Sequence, residues 1–124
     1  MKRGDIYLVD YEPVRGSEAN KARPAVIVSN DGANAAVQRT GRGVVTLVPL
    51  TTNTSRVFPF QVLLPAGEGG LLKDSKVQCE QVRALAGERL LRQIGAVPRQ
   101  RMAQIDAALR LHLELYTSGP PWTR

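Results

Sequence analysis

The 124-residue chain holds one cysteine, Cys79, and one histidine, His112. A lone thiol excludes an intramolecular disulfide framework and a cysteine-rich zinc site, and it suits a reducing compartment, so the chain is expected in the cytoplasm. A lone histidine at the edge of the apolar stripe of the last predicted helix reads as a packed or rim residue, which disfavours a Ser-His-Asp triad or a pair of acid–base histidines. Aromatic residues make up 5% of the chain, too few and too scattered for an extended base-stacking platform. No apolar run approaches the ~20 residues needed to cross a bilayer, and Met1-Lys2-Arg3 leads to Gly4-Asp5 instead of a signal-peptide hydrophobic stretch. Neither secretion nor membrane insertion is expected. The Walker phosphate loop, the dinucleotide fingerprint, His-Glu-x-x-His and Cys-x-x-Cys are all missing, so the sequence predicts no cofactor and no metal site.

What the chain has is positive charge on an ordinary globular composition. Seventeen Lys and Arg against eleven Asp and Glu leave a net charge of +6, which draws polyanions such as nucleic acid or an acidic protein partner. With 43% hydrophobic and 23% charged residues the sequence reads as one soluble domain over residues 1–116, with 117–124 as a flexible C-terminal tail.

Six short strands are predicted: Asp5 to Tyr11, Arg23 to Ser29, Val44 to Leu50, Phe58 to Leu64, Ser75 to Leu85 and Leu91 to Val97. The first has apolar side chains on both faces and should be central. The connection from Glu12 to Ala22 is long for a hairpin, and such loops tend to be functional. Pro24 holds the residue before it extended, which aims Arg23 from a loop-to-strand junction. Asn30 to Arg42 reads as loop, although Ala33, Ala35 and Ala36 allow a helical turn. Gly95 suggests a bulge or sharp bend. Pro98 to Tyr116 reads as a helix, with proline in its first turn and Ser118-Gly119-Pro120-Pro121 as its stop. Its apolar arc is wider than one core contact covers, which makes a homodimer a reasonable inference. The fold class is mainly β with a C-terminal helix: a small, strongly bent antiparallel sheet or half-open barrel.

Polar residues gather in four separated segments: Gly16-Ser17-Glu18 with Asn20, Arg23-Pro24, Thr51-Thr52-Asn53 and Glu80-Gln81-Val82-Arg83. Taken singly, Ser17 and Glu18 read as turn residues, Arg23 as a solvated charge, Thr51 and Thr52 as strand-end residues, and Glu80 with Arg83 as a cross-strand pair. Their joint order changes the reading. Together with Arg3-Gly4-Asp5-Ile6-Tyr7-Leu8-Val9-Asp10, Pro24-Ala25-Val26-Ile27-Val28, Pro49-Leu50 and Pro59-Phe60-Gln61-Val62-Leu63-Leu64, the sequence resembles the MazF/PemK family of toxin endoribonucleases from about Lys2 to Tyr116.

The resemblance implies an SH3-like, CcdB/PemK-like barrel of about six strands, a homodimer, and metal-independent cleavage of single-stranded RNA. It also implies a cognate antitoxin whose acidic disordered tail occupies the RNA-binding surface. By the same resemblance Arg23 and Thr51 form the catalytic pair, and Ser17 and Glu18 lie beside the scissile phosphate as catalytic or substrate-positioning residues. Gly16, Asn20, Thr52, Asn53 and Gln81 lie near the RNA path. Members vary over Asn30 to Arg42 and Thr52 to Val57, so no base preference carries over.

The chemistry of these residue types agrees. RNA supplies its own nucleophile: a 2′-hydroxyl can attack the adjacent phosphorus and expel the 5′-oxygen, leaving a 2′,3′-cyclic phosphate and a 5′-hydroxyl. The protein must then stabilise charge on the phosphoryl oxygens and impose in-line geometry. An arginine fork can hold two phosphate oxygens, and a threonine hydroxyl adds a neutral donor. The base that takes the 2′-proton is left open, with Glu18 one candidate. An alternative from another class is a non-enzymatic CcdB-like toxin that blocks a protein target such as DNA gyrase, for which Arg23 and Thr51 would be dispensable.

Overall fold

Strand β3 (Val44–Thr51) organises the molecule, because two sheets share it. In the computed structural model, which describes residues 1–11 and 22–115, the other elements are β1 (Asp5–Val9), β2 (Arg23–Ile27), α1 (Asp31–Thr40), β4 (Gln61–Leu64), β5 (Ser75–Gln78), β6 (Arg83–Ala86), β7 (Leu90–Ala96) and α2 (Arg99–Leu113). One antiparallel sheet runs β7-β1-β2-β3-β6, and β3 continues into a second with β5 and β4. The mainly β class with a C-terminal helix holds, with β1 between β2 and β7 as its two apolar faces predicted.

Two expectations need correction. Among the described residues the sheets hold seven strands, because Ser75 to Leu85 is not one strand. It breaks at a 3₁₀ turn, Cys79–Gln81, whose buried Cys79 is the pivot. β5 pairs with β3 at Leu50 and Thr51, whereas β6 pairs with it from Val44 to Leu47. A single straight strand cannot follow both ends of a partner that bends from one sheet into the other. The segment after Asn30 is the helix α1 and not loop. The Asn30 side chain accepts a hydrogen bond from the Ala33 N–H at 2.8 Å, and Gly41, at φ 70, returns its own N–H to the Val37 carbonyl at 2.8 Å. These two caps satisfy backbone groups that a short polar helix leaves unpaired, and buried Val37 anchors it to the sheet.

Period-two alternation divides the core. Ile6, Val26 and Val48 join Leu50, Leu64, Val77 and Cys79 against Ile105, Ala108 and Leu109 of α2. Val9, Ala25, Ile27, Val45, Leu47 and Leu85 face the other way, where Val37 of α1 covers them. Between Ile6 and Tyr7 the β1–β7 register slips past Ile94, which places the bulge beside Gly95 as expected. The main chain of Gly69 passes so close there that a Cβ on Gly95 would overlap its carbonyl oxygen.

Helix α2 starts after Pro98 and ends at Leu113, ahead of the Ser118-Gly119-Pro120-Pro121 stop, because Glu114 turns into the left-handed conformation at φ 56. Met102, Ile105, Ala108 and Leu109 face the core, while Leu111, Leu113 and Leu115 are exposed. Residues Glu12 to Lys21, Tyr116 and the predicted tail lie outside the described residues.

Candidate active site

The face of the larger sheet that carries Val9, Ala25 and Leu47 becomes polar at its open end. Paired residues in adjacent strands share a face, so the pairs Val9 with Arg23, Ala25 with Pro49, and Leu47 with Arg83 put all six on one side. Arg23 and Thr51 each lie two residues beyond the last β2–β3 pair, Ala25 with Pro49, at the same end of their strands. The side chains that this end presents line a pocket of about 280 Å³: Tyr11, Arg23, Pro49 and Thr51, with Gln78, Gln81 and Arg83. Arg23 and Thr51, contributed by segments far apart in sequence, therefore open on one groove.

Each donor has a local reason for its position. Arg23 is the first residue of β2 and is exposed, with Pro24 next in the strand opposite Leu8. The Thr51 hydroxyl oxygen accepts a hydrogen bond from the Asn53 N–H at 3.2 Å, and the Asn53 side chain in turn accepts from the Ser55 hydroxyl at 2.9 Å. This orients the Thr51 oxygen and leaves its own O–H as a donor to the pocket. Gln81 closes the 3₁₀ turn. Its neighbour Glu80 is tied down by the Gln61 amide, which donates to it at 2.7 Å.

The electrostatics favour an anion. Among the described residues the ion pairs are Arg3 with Asp106 and Arg101 with Glu68, and neither Arg23 nor Arg83 pairs with a carboxylate there. The Arg83 guanidinium lies over the Tyr11 ring, 5.3 Å from its centroid. Burial pushes the Tyr11 phenol up to about 12, against the opposing pull of Arg83 and Arg23, so the ring stays neutral beside two cations. Its hydroxyl is buried with no hydrogen-bond partner among the described residues. No cluster of three or more His, Cys, Asp or Glu that could hold a metal ion occurs among them.

The predicted residues are thus distributed unevenly. Arg23, Thr51 and Gln81 converge on the pocket. Thr52, one residue on, points to the opposite face and lines a separate pocket with Leu8, Pro24, Leu72 and Arg92. Asn53 serves through the bonds it makes to Thr51 and Ser55. Gly16, Ser17, Glu18 and Asn20 lie outside the described residues. Tyr11, Gln78 and Arg83 line the pocket without having been named as site residues. The available signals were Tyr11 sharing the odd-numbered face of Val9, and Arg83 interrupting an apolar strand face.

Comparison with known proteins places this arrangement. The family model for PemK-like, MazF-like toxins of type II toxin–antitoxin systems matches residues 2–113. Endoribonuclease MazF9 of Mycobacterium tuberculosis is 58% identical over 117 residues, which span 94% of this chain and 99% of that protein. A mycobacterial endoribonuclease in complex with its cognate antitoxin superposes with a TM-score of 0.71 at 28% identity, covering 94% of this chain and 97% of its own. MazF in a MazE–MazF crystal structure from Deinococcus radiodurans gives a TM-score of 0.75 at 25% identity, with the same coverage of 94% and 97%. The chain belongs to the PemK-like, MazF-like toxin family of type II toxin–antitoxin systems.

Proposed function

We propose that the protein is a metal-independent, sequence-preferring endoribonuclease toxin of the cytoplasm. It cuts single-stranded RNA by attack of the 2′-hydroxyl on the adjacent phosphorus, giving 2′,3′-cyclic phosphate and 5′-hydroxyl ends. The observation that carries the reading is the shared pocket of Arg23 and Thr51, to which Gln81 adds an amide. Arg23 grips the non-bridging oxygens of the scissile phosphate and meets the charge that grows there in the transition state. The Thr51 O–H donates to the same group from the neighbouring strand. Ser17, Glu18, Gly16 and Asn20 complete the site from the β1–β2 connection, and Asn53 continues the RNA path past Thr51.

An antitoxin with an acidic disordered tail restrains the enzyme by laying carboxylates where phosphates bind. The net charge of +6 and the pocket's two arginines, which have no carboxylate partner among the described residues, support that competition. Exposed Leu111, Leu113 and Leu115 at the end of α2 support a homodimer that covers them.

The test is a defined single-stranded RNA incubated with the protein in EDTA, beside the same strand carrying hydrogen in place of the 2′-hydroxyl at the cut. The ribose strand should be cut to the stated ends and the substituted strand should survive. Cleavage of the deoxy-substituted strand, or a requirement for added metal, overturns the mechanism.

A further inference from the structure

Arg83 is not accounted for by one scissile phosphate. It opens β6 in register with Leu47, four residues before Thr51 on β3. The guanidinium nevertheless faces the same pocket as Arg23 and Thr51. The simplest structural role for it, a pair with Glu80, is not made among the described residues, where the Glu80 carboxylate accepts from the Gln61 amide. Arg83 stacks on Tyr11, whose ring lies 5.3 Å below its guanidinium carbon, and Tyr11 lies in turn between the two arginines in the electrostatic sense. The burial that keeps the phenol neutral also means that it holds Arg83 as a π surface without neutralising it.

A cation braced on an aromatic ring, mounted four residues along β3 from the catalytic threonine and with no carboxylate partner among the described residues, fits the next phosphate of the same strand. We infer that Arg83, mounted on the Tyr11 ring, binds the RNA phosphate adjacent to the scissile one, with Tyr11 as its positioning residue. This rests on the reading of the pocket as an RNA-cleaving site. It predicts that Arg83 acts on substrate affinity, in contrast to Arg23, which acts on the chemical step. A planar guanidinium stacked on an aromatic face gives up less freedom on binding than a free side chain, so the brace is part of the affinity.

The experiment uses the full chain and an RNA of several nucleotides with a single 2′-deoxy substitution at the cut, so that binding is measured without cleavage. Arg83→Ala should weaken binding about tenfold and lower the slope of log affinity against log salt by about 0.7, the share of one phosphate contact on a single strand. With cleavable RNA its loss should fall in KM and not in kcat. That loss should be confined to strands longer than a dinucleotide, which has no second phosphate. Tyr11→Leu should reproduce the Arg83→Ala loss, and Tyr11→Phe, which keeps the ring, should rescue it. Thermal unfolding checks that both Tyr11 variants fold, and exposed Arg83 supplies the test independent of them. Unchanged affinity and salt slope for Arg83→Ala overturn the inference, as does an equal loss on the dinucleotide. Failure of the cleavage reading looks different: the wild-type chain would leave all-ribose RNA intact.

Discussion

Arg23 and Thr51 stand on the adjacent antiparallel strands β2 and β3, each two residues beyond the paired Ala25 and Pro49, and line one pocket. A guanidinium and an alcohol in that relation can address one phosphoryl group together. Their contributions should be separable, because the Thr51 oxygen is held by the Asn53 N–H and Arg23 is exposed at a strand end.

Replacing Thr51 by alanine removes one neutral donor to a developing oxyanion, at a cost of about 3 kcal/mol in the barrier, roughly a hundredfold in rate. Single-turnover cleavage of a defined RNA should show that loss in kcat. A Thr51→Ala chain that cuts at the wild-type rate removes Thr51 from the mechanism.

Gly95→Ala should destabilise the fold by about 1–3 kcal/mol, because the added methyl would overlap the Gly69 main chain where β7 bulges. Urea unfolding measures it. An unchanged midpoint would show that the connection through Gly69 gives way freely.

Asn30→Ala should cost about 1 kcal/mol through loss of the α1 cap. The loss should be local, seen as faster amide exchange from Ala33 through Val37 before the sheet opens. Unaltered exchange in that segment contradicts the assigned cap.

Burial lifts the Cys79 thiol from 9.0 to about 12, with the Glu80 and Asp106 charges pushing the same way, and burial lifts Tyr11 from 10.0 to about 12. Both groups hold their protons more tightly folded than unfolded. Their contribution to stability is therefore complete below about pH 9 and is lost as pH rises toward 12, by up to about 1.4 kcal/mol per pH unit for each group. Chemical unfolding across that range should show a plateau followed by a decline, and Cys79→Ala should make the decline shallower. Stability that rises over the same range contradicts the burial of these groups.

Much of this was legible in the sequence because it is local. Apolar residues on both faces marked β1 as central, proline and helical spacing marked α2, and Pro24 marked Arg23 as an aimed side chain. Helix α1 escaped because its buried residues are the polar Asn34 and the single apolar Val37, and its information lies in the caps Asn30 and Gly41. The break at Cys79 escaped because Val77, Cys79, Gln81, Arg83 and Leu85 alternate as one strand would. What interrupts them is the bend of β3, a property of the partner strand. Tyr11 and Arg83 joined the pocket for the same kind of reason, since strand register, set by contacts distant in sequence, decides who shares a face. The separation of Thr51 from Thr52 follows from alternation alone and could have been read.

The most direct test is the rate at which Arg23→Ala cuts one defined RNA under single-turnover conditions in EDTA, with the folded state checked by urea unfolding. The account predicts a loss of at least about a hundredfold with the unfolding midpoint unchanged, since Arg23 is exposed and supports no core contact. Cleavage by Arg23→Ala at the wild-type rate would contradict it.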